Sequence, residues 1–569
     1  MEVFLWECLV SLLPSVVFVL LSVALHWPTV RYWLGLLVRD AGWSLWIIMC
    51  LLLKLPLHRR SETLTKQVSS AGTDIWPHVS ESPTLICKST ALASYLLQHC
   101  GSLTLPKLSP GWPTGDPHLQ TLSSLLWGHK EDSVQFSRDH LLLSDGGIVA
   151  LDWAVGTQTS EAFGRKRWDG RKEHHSGGKT LGCFSSTPPV LLLIPQVWGG
   201  MTLHLKALSR VALQQGFYVV VFHPRGTAGC PLTTARLTEF GDPADLEQAV
   251  AYIHSRHPSS VLLAVSEGSG SGILLSYLGE CGSSSHLTAA AAISPVLLGQ
   301  LWFEMDMPPL YHWGALFFRK QQLRRYASSF SEFLDVDRAL NCSSLRDFEE
   351  ILFCSSVQSQ RSTAGPTTNL FTSAGVDPGL SSAPPSPQGL KPSVTRVLVE
   401  RAYSANNWSD YWERNEPLRE ADEVAVPVLC ICSHDDPILP PASTLPLNLF
   451  QNNPYFLLLM TDRGGHCGFT MEDQKEREGM EHEPSNWSHV TVLEYFKVVA
   501  DFLKAEDAAR WGSSMGEYSQ VMQRTRSSPT DALRRRRATV MKRPRLQRLK
   551  QICTESENEH FTWKRSYTR

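Results

Sequence analysis

Three segments carry side chains suited to acyl transfer. Ser266 stands in Ala264-Val265-Ser266-Glu267-Gly268, between an apolar run and a helical pattern. A nucleophile elbow needs that context: strand, sharp turn, helix, with small residues two before and two after the nucleophile. Gly268 meets the second condition, and alanine stands at 264 where glycine is usual. Ser433-His434-Asp435-Asp436-Pro437 directly follows a later apolar run, and Gly464-Gly465-His466-Cys467-Gly468-Phe469 follows the next. Serine would attack a carbonyl, histidine would take its proton, and aspartate would hold the imidazole. The order Ser, Asp, His suits a parallel-sheet hydrolase. Taken singly, each segment reads as an ordinary polar loop. Three such loops in this order, each after a strand, argue for Ser266, Asp436 and His466 as a triad. Asp435 competes with Asp436; Asp436 is preferred because Pro440 lies four residues after it.

The elements that must position these loops are legible as periodic runs. Residues 190–194, 217–222, 261–265, 287–293, 426–432 and 455–460 are short apolar stretches, read as buried strands. Cys430 and Cys432 fall inside one of them and read as buried strand residues. Helical patterns at 208–215, 243–257 with Asp242 as N-cap, 270–279 and 490–503 alternate with the strands. The alternation argues for an α/β fold with a mostly parallel sheet covered on both faces. Asp145-Gly146-Gly147 reads as a hairpin turn, and residues 157–189 as an inserted loop. The domain spans 111–508 and is split by a cap and insertion at about 301–420, of which 358–393 is rich in Ser, Thr, Pro and Gly and reads as disordered.

The ends differ from the middle. Residues 3–27 are almost wholly apolar, long enough for the ~20 residues a bilayer crossing needs. Residues 42–57 form a shorter apolar stretch. Residues 1–57 are therefore read as membrane anchor, with a cleaved signal peptide and secretion as the alternative. Arg59, Arg60 and Lys66 favour a cytosolic domain. Residues 58–110 read as a linker with one helix at 91–99. Residues 509–569 read as a basic, disordered tail suited to a protein partner or anionic lipid. The net charge of −2 over 569 residues gives no case for nucleic acid, and 13 scattered cysteines do not form a secreted disulfide framework. No zinc spacing or phosphate-cradling glycine loop is present, so no cofactor is expected.

Further motifs carry a resemblance. Pro117-His118-Leu119-Gln120-Thr121-Leu122, Asp145-Gly146-Gly147 with Leu151-Asp152-Trp153, and Val220-Val221-Phe222-His223-Pro224-Arg225-Gly226 occur in order. Thr233-Thr234, Gly241-Asp242 and Asp245-Leu246 follow, then the Asp-Asp-Pro and Gly-Gly-His loops. Together they resemble the membrane-anchored α/β-hydrolases that cleave acylglycerols and phospholipids and that include the yeast and bacterial ethanol-ester enzymes. The resemblance implies an eight-stranded α/β-hydrolase sheet and Ser-Asp-His chemistry on a lipid ester; the membrane is expected to be that of the endoplasmic reticulum.

Two departures fall on the expected oxyanion hole. Its donors would be the N–H of Glu267 and N–H groups of the loop carrying Gln196 and Val197. The family usually has Leu or Met at the first position and Gly at the second. Loss of one such donor costs ~10²–10³ in rate. A second expectation therefore stands beside the lipid esterase: a catalytically weakened hydrolase-fold scaffold that regulates lipid metabolism through protein partners.

Overall fold

The computed structural model describes residues 28–56, 83–104, 108, 112–126, 134–155, 187–197, 200–234, 236–331, 334–354, 404–471 and 486–524. Residues 3–27, the inserted loop at 157–189 up to 186, the Ser/Pro-rich insertion and the tail beyond 524 lie outside them.

The strands are β1 Thr84–Ile86, β2 Gln135–Leu142, β3 Ile148–Val155, β4 Val190–Ile194, β5 Tyr218–His223, β6 Leu262–Glu267, β7 Ala289–Ile293, β8 Val428–Ser433 and β9 Phe456–Thr461. They form one sheet in the order β1-β9-β8-β7-β6-β4-β5-β3-β2. The run from β5 through β9 is parallel, and β1, β2 and β3 are antiparallel. The sheet thus has nine strands where the resemblance implies eight. The additional edge, β1, comes from residues read as linker.

The principal helices are α1 Pro28–Leu52, α2 Ala91–His99, α3 Pro117–Leu126, α4 Leu203–Gln214, α5 Ala244–Arg256, α6 Ser271–Cys281, α7 Pro309–Arg325, α8 Trp408–Asn415 and α9 Trp487–Arg524. Side chains alternate across the sheet, as a period of two requires. Leu192, Ile194, Val220 and Ala264 join the core under α5, α6 and the cap, while Leu191, Leu193, Val219 and Val265 join the core under α2, α4 and α9. Helix α5 begins at Ala244, with Asp242 Oδ1 accepting from the Ala244 N–H at 3.1 Å, so Asp242 supports the helix start from one place further out than expected. Helix α9 runs past residue 503 to Arg524, so the first part of the expected disordered tail continues the helix.

Helix α1 starts at Pro28, well before the apolar stretch expected from residue 42. Its Gly35–Leu52 window is apolar and only 6% buried, long enough by length and composition to cross a membrane. It is tied to the domain at its C-terminal half: Trp43 packs edge-on to Trp112, and Trp46 Nε1 donates to Asp116 Oδ2 at 3.1 Å.

The motifs of the resemblance converge on one buried guanidinium. Arg225 donates to Asp245 through Nε and Nη2 at 2.8 and 2.5 Å, and through Nη1 to Asp145 at 2.8 Å and Thr234 Oγ1 at 3.0 Å. It therefore joins the β2–β3 hairpin, the segment after β5 and the start of α5. Removing one member of a buried pair strands the other charge, at a cost of ~3–5 kcal/mol. Arg225→Met should accordingly lower the midpoint of thermal unfolding sharply, whereas Arg256→Met, a substitution near the exposed end of α5, should leave it almost unchanged; equal midpoints would remove Arg225 from this role.

Candidate functional site

The two acidic alternatives have different partners. Asp436 Oδ2 lies 2.9 Å from His466 Nδ1, and its Oδ1 accepts from the N–H groups of Ile438 and Leu439 at 2.9 and 3.1 Å. Asp435 Oδ1 accepts from Ser433 Oγ and from the Gly465 N–H. The first carboxylate orients the imidazole and the second holds the loop beneath it.

The histidine loop is also held by α3. His466 N–H donates to Thr121 Oγ1 at 2.9 Å, and Ser124 Oγ donates to the His466 carbonyl at 3.2 Å. Gly465 has φ +54°, and a Cβ there would lie 2.5 Å from the Pro117 carbonyl oxygen. Only glycine fits that close approach. The motif at 117–122 is thus the cradle of His466.

Ser266 lies elsewhere. Strand β6 runs on to Glu267, with Ser266 paired to Ile194 and Ala292 in mid-sheet. Ser266 is fully buried, its Oγ has no hydrogen-bond partner among the described residues, and it is not among the residues lining the cavity beside His466. The expectation that Ser266 is the nucleophile is corrected. The sharp turn falls two residues later, at Gly268, with φ +50°. A Cβ on Gly268 would lie 2.8 Å from His466 Nε2 and 3.3 Å from Gln196 Nε2. The apex that faces the histidine therefore carries no side chain. In the frame Ser266-Glu267-Gly268-Ser269-Gly270, small residues flank the apex on both sides, and a Cβ on Gly270 would lie 2.3 Å from the Pro195 carbonyl oxygen. That spacing was the available signal, masked because serine attracts notice and glycine does not.

The oxyanion expectation shifts with the frame. Glu267 precedes the apex and is not among the residues lining the cavity; its carboxylate accepts from Thr202 Oγ1 at 2.7 Å. Ser269 follows the apex. Its Oγ accepts from the Val197 N–H at 3.3 Å, which secures the loop after β4 to the start of α6. Gln196 lines the cavity.

Burial opposes charge throughout this region. It lifts the Glu267 pKa to about 7, against the lowering effects of Thr202 and His466. It drives His204, 3.6 Å from Glu267 Oε1, down to about 3, assisted by His466. That contact is therefore not an ion pair at neutral pH. Burial also opposes charge on His466, but Asp436, together with Cys467, raises its pKa well above the ordinary histidine value. Cys467 is buried behind the ring, with Sγ directed at the Ile293 carbonyl.

His466 opens onto a cavity of about 850 Å³. Its walls include Leu122, Met201, Trp302, Met307, Leu310 and Ile438. On the cap side, α7 adds Trp313, Phe317 and Phe318, which are 63%, 45% and 53% exposed, and Arg325. This aromatic lip was not anticipated from the sequence. Among the described residues, no group of His, Cys, Asp and Glu side chains is disposed to hold a metal ion.

The chain is similar to human Protein ABHD15, at 40% identity over 487 residues, 85% of each chain. It is also similar to the mouse phospholipase ABHD3, at 24% identity over 402 residues, 69% of this chain and 80% of that one. Among solved structures, the Pyrococcus furiosus esterase PF2001 aligns at 12% identity with a TM-score of 0.30, covering 59% of this chain and 84% of the esterase. No family model matches the chain.

The buried carboxyl of Glu267 has a pH consequence. Its folded pKa exceeds the ordinary 4.5, so the folded state gains from the protonated form. Its contribution to stability is full below about pH 4.5 and is lost as pH rises through about 7. Glu267→Gln should therefore gain stability relative to wild type between pH 5 and 8 in denaturant titrations. A stability difference independent of pH would show that Glu267 is ionised in the fold.

Proposed function

The chain belongs to the α/β-hydrolase family that includes Protein ABHD15, and from that premise we propose that it is a membrane-anchored lipid-binding protein that forms no acyl-enzyme. One observation carries the reading: the backbone apex facing His466 is Gly268, where a Cβ would stand 2.8 Å from Nε2. Nucleophilic acyl transfer needs an oxygen or sulfur at that place. The Asp436–His466 pair has nothing there to activate: Ser266 and Cys467 are fully buried and outside the cavity lining, and Ser269, which lines the cavity beyond the apex, accepts from the Val197 N–H. The lipid esterase expected first thus yields to the second expectation, a weakened hydrolase fold that regulates lipid metabolism.

A lipid ligand is favoured by the apolar walls of the cavity and by the phospholipase activity in the name of the ABHD3 relative. The membrane setting is favoured by α1 and by its connection to the cap. Pro56 O accepts from His118 Nε2 at 2.9 Å, which leaves Nδ1 to accept from Tyr311 O–H at 2.9 Å. Tyr311 lies on α7, the helix that carries the aromatic lip, so the anchor and the cavity mouth are joined through one side chain. Exposed aromatic rings beside basic residues suit a bilayer interface. The cytosolic orientation and the endoplasmic reticulum are part of this proposal, as is a protein partner for the insertion and the basic tail.

Fluorophosphonate probes test the covalent half. Wild-type protein should remain unlabelled, and Gly268→Ser, which returns a hydroxyl beside His466, should gain labelling that Gly268→Ser/His466→Ala loses. Strong labelling of wild type would sink the proposal. Alkaline carbonate extraction tests the anchor: the chain should stay with the membrane pellet, whereas recovery in the supernatant or culture medium would favour the cleaved-signal alternative.

A further inference from the structure

We propose that the cavity takes a fatty-acid carboxylate as a resting ligand, its head group held between His466 Nε2, the Gln196 side-chain amide and the turn that opens α6, and its chain lying among Leu310, Met307 and Phe318. This deepens the lipid-binding reading and rests on it. It names the head group, which that reading leaves open.

The argument begins with the space above Gly268. The atoms nearest to a Cβ there are nitrogens, His466 Nε2 at 2.8 Å and Gln196 Nε2 at 3.3 Å. Gln196 Nε2 is a donor, and His466 Nε2 is one in the imidazolium that Asp436 favours, so an acceptor group fits this end of the cavity. His466 is only 3% exposed, its Nδ1 is taken by Asp436, and it lines the cavity. Ser269 also lines the cavity and follows the apex directly, in the turn 268–270 that leads into the 11-residue α6. The first N–H groups of such a helix have no intrahelical acceptor, and the helix dipole favours an anion there. These groups would stabilise a transient oxyanion if a serine stood at the apex. Without one, they match the stable oxygens of a carboxylate.

The charges around the site are compatible with this ligand. The groups facing His466 are Asp436, Cys467, Glu267 and His204. Asp436 favours the imidazolium, which donates from both nitrogens. Burial raises the Glu267 pKa to about 7, so this second acid adds less than a full negative charge near neutral pH. A neutral ester or alcohol would make fewer charge-assisted bonds at the same place. The volume of about 850 Å³ lies within the ~300–1,000 Å³ of small-molecule sites and leaves room for an alkyl chain beyond the head group.

The test compares head groups on the full chain in nanodiscs, with empty nanodiscs subtracted. Equilibrium binding of radiolabelled palmitate should be on the order of tenfold tighter than that of hexadecan-1-ol. His466→Ala should remove the preference, and Asp436→Asn should reduce it. Equal affinity of palmitate and hexadecan-1-ol for wild type would overturn the carboxylate assignment and leave the lipid pocket standing. Absence of binding by either would sink both. A preference that survives in His466→Ala protein of unchanged melting temperature would also overturn the assignment. The comparison on wild type holds even if a variant fails to fold.

Discussion

The backbone turn at residues 268–270 is the constraint on which the rest of the site depends. It must fit beneath the end of β4 and beside the histidine loop at once. Gly270 is forced by the first requirement, since a Cβ would lie 2.3 Å from the Pro195 carbonyl oxygen. Gly268 has the positive φ that the reversal needs, at +50°. Once the turn is set, α6 begins in the right direction, Ser269 Oγ secures the Val197 N–H, and Gln196 is brought to the apex. The geometry of an elbow is thus retained in full. The apex itself is glycine, so no side chain stands there to face His466.

A second coupling links that turn to the membrane side of the molecule. Helix α3 is small, yet it touches three parts of the structure. His118 bridges Pro56, just after the anchor helix, to Tyr311 of the cap. Thr121 and Ser124 hold the backbone of His466. Gln120 and the Pro117 carbonyl pack against the glycines of the same loop. A displacement of α1 relative to the cap would reach His466 through this single helix. The motif at 117–122 therefore has two tasks, to seat the imidazole and to join the anchor to the cavity mouth.

Much of the fold was legible in the sequence because buried parallel strands are short apolar runs with abrupt ends. The loops after β8 and β9 were read correctly for that reason: Ser433 and Thr461 close their strands, and glycine or proline follows. The elbow was misread by two residues. A period of two preserves the apparent pattern under such a slip, since 264, 266 and 268 are successive same-face positions, and nothing in the apolar run marks that β6 continues through Ser266 and Glu267. In sequence Glu267 reads only as an oxyanion donor beside the nucleophile, and only the fold brings Thr202 to its carboxylate. The edge strand β1 has three residues, too few for a periodic signal. The lip on α7 was hidden because Trp313, Phe317 and Phe318 resemble core residues until the cap is seen to leave them exposed.

The survival of the Asp436–His466 pair beside a glycine calls for a physical account. A buried ion pair is weak support for a fold, because desolvation of both groups offsets their attraction, and apolar residues of similar volume often serve stability better. Here the pair is buried with both side chains 3% exposed, next to a second acid, Glu267, that burial already disfavours. Folding alone gives little reason to keep three ionisable groups in so small a volume. A ligand gives one. An acceptor over Gly268 would engage the free side of the imidazole and turn an internal electrostatic cost into binding energy. A ligand that binds only the folded state stabilises it, so such a site would be most stable when filled.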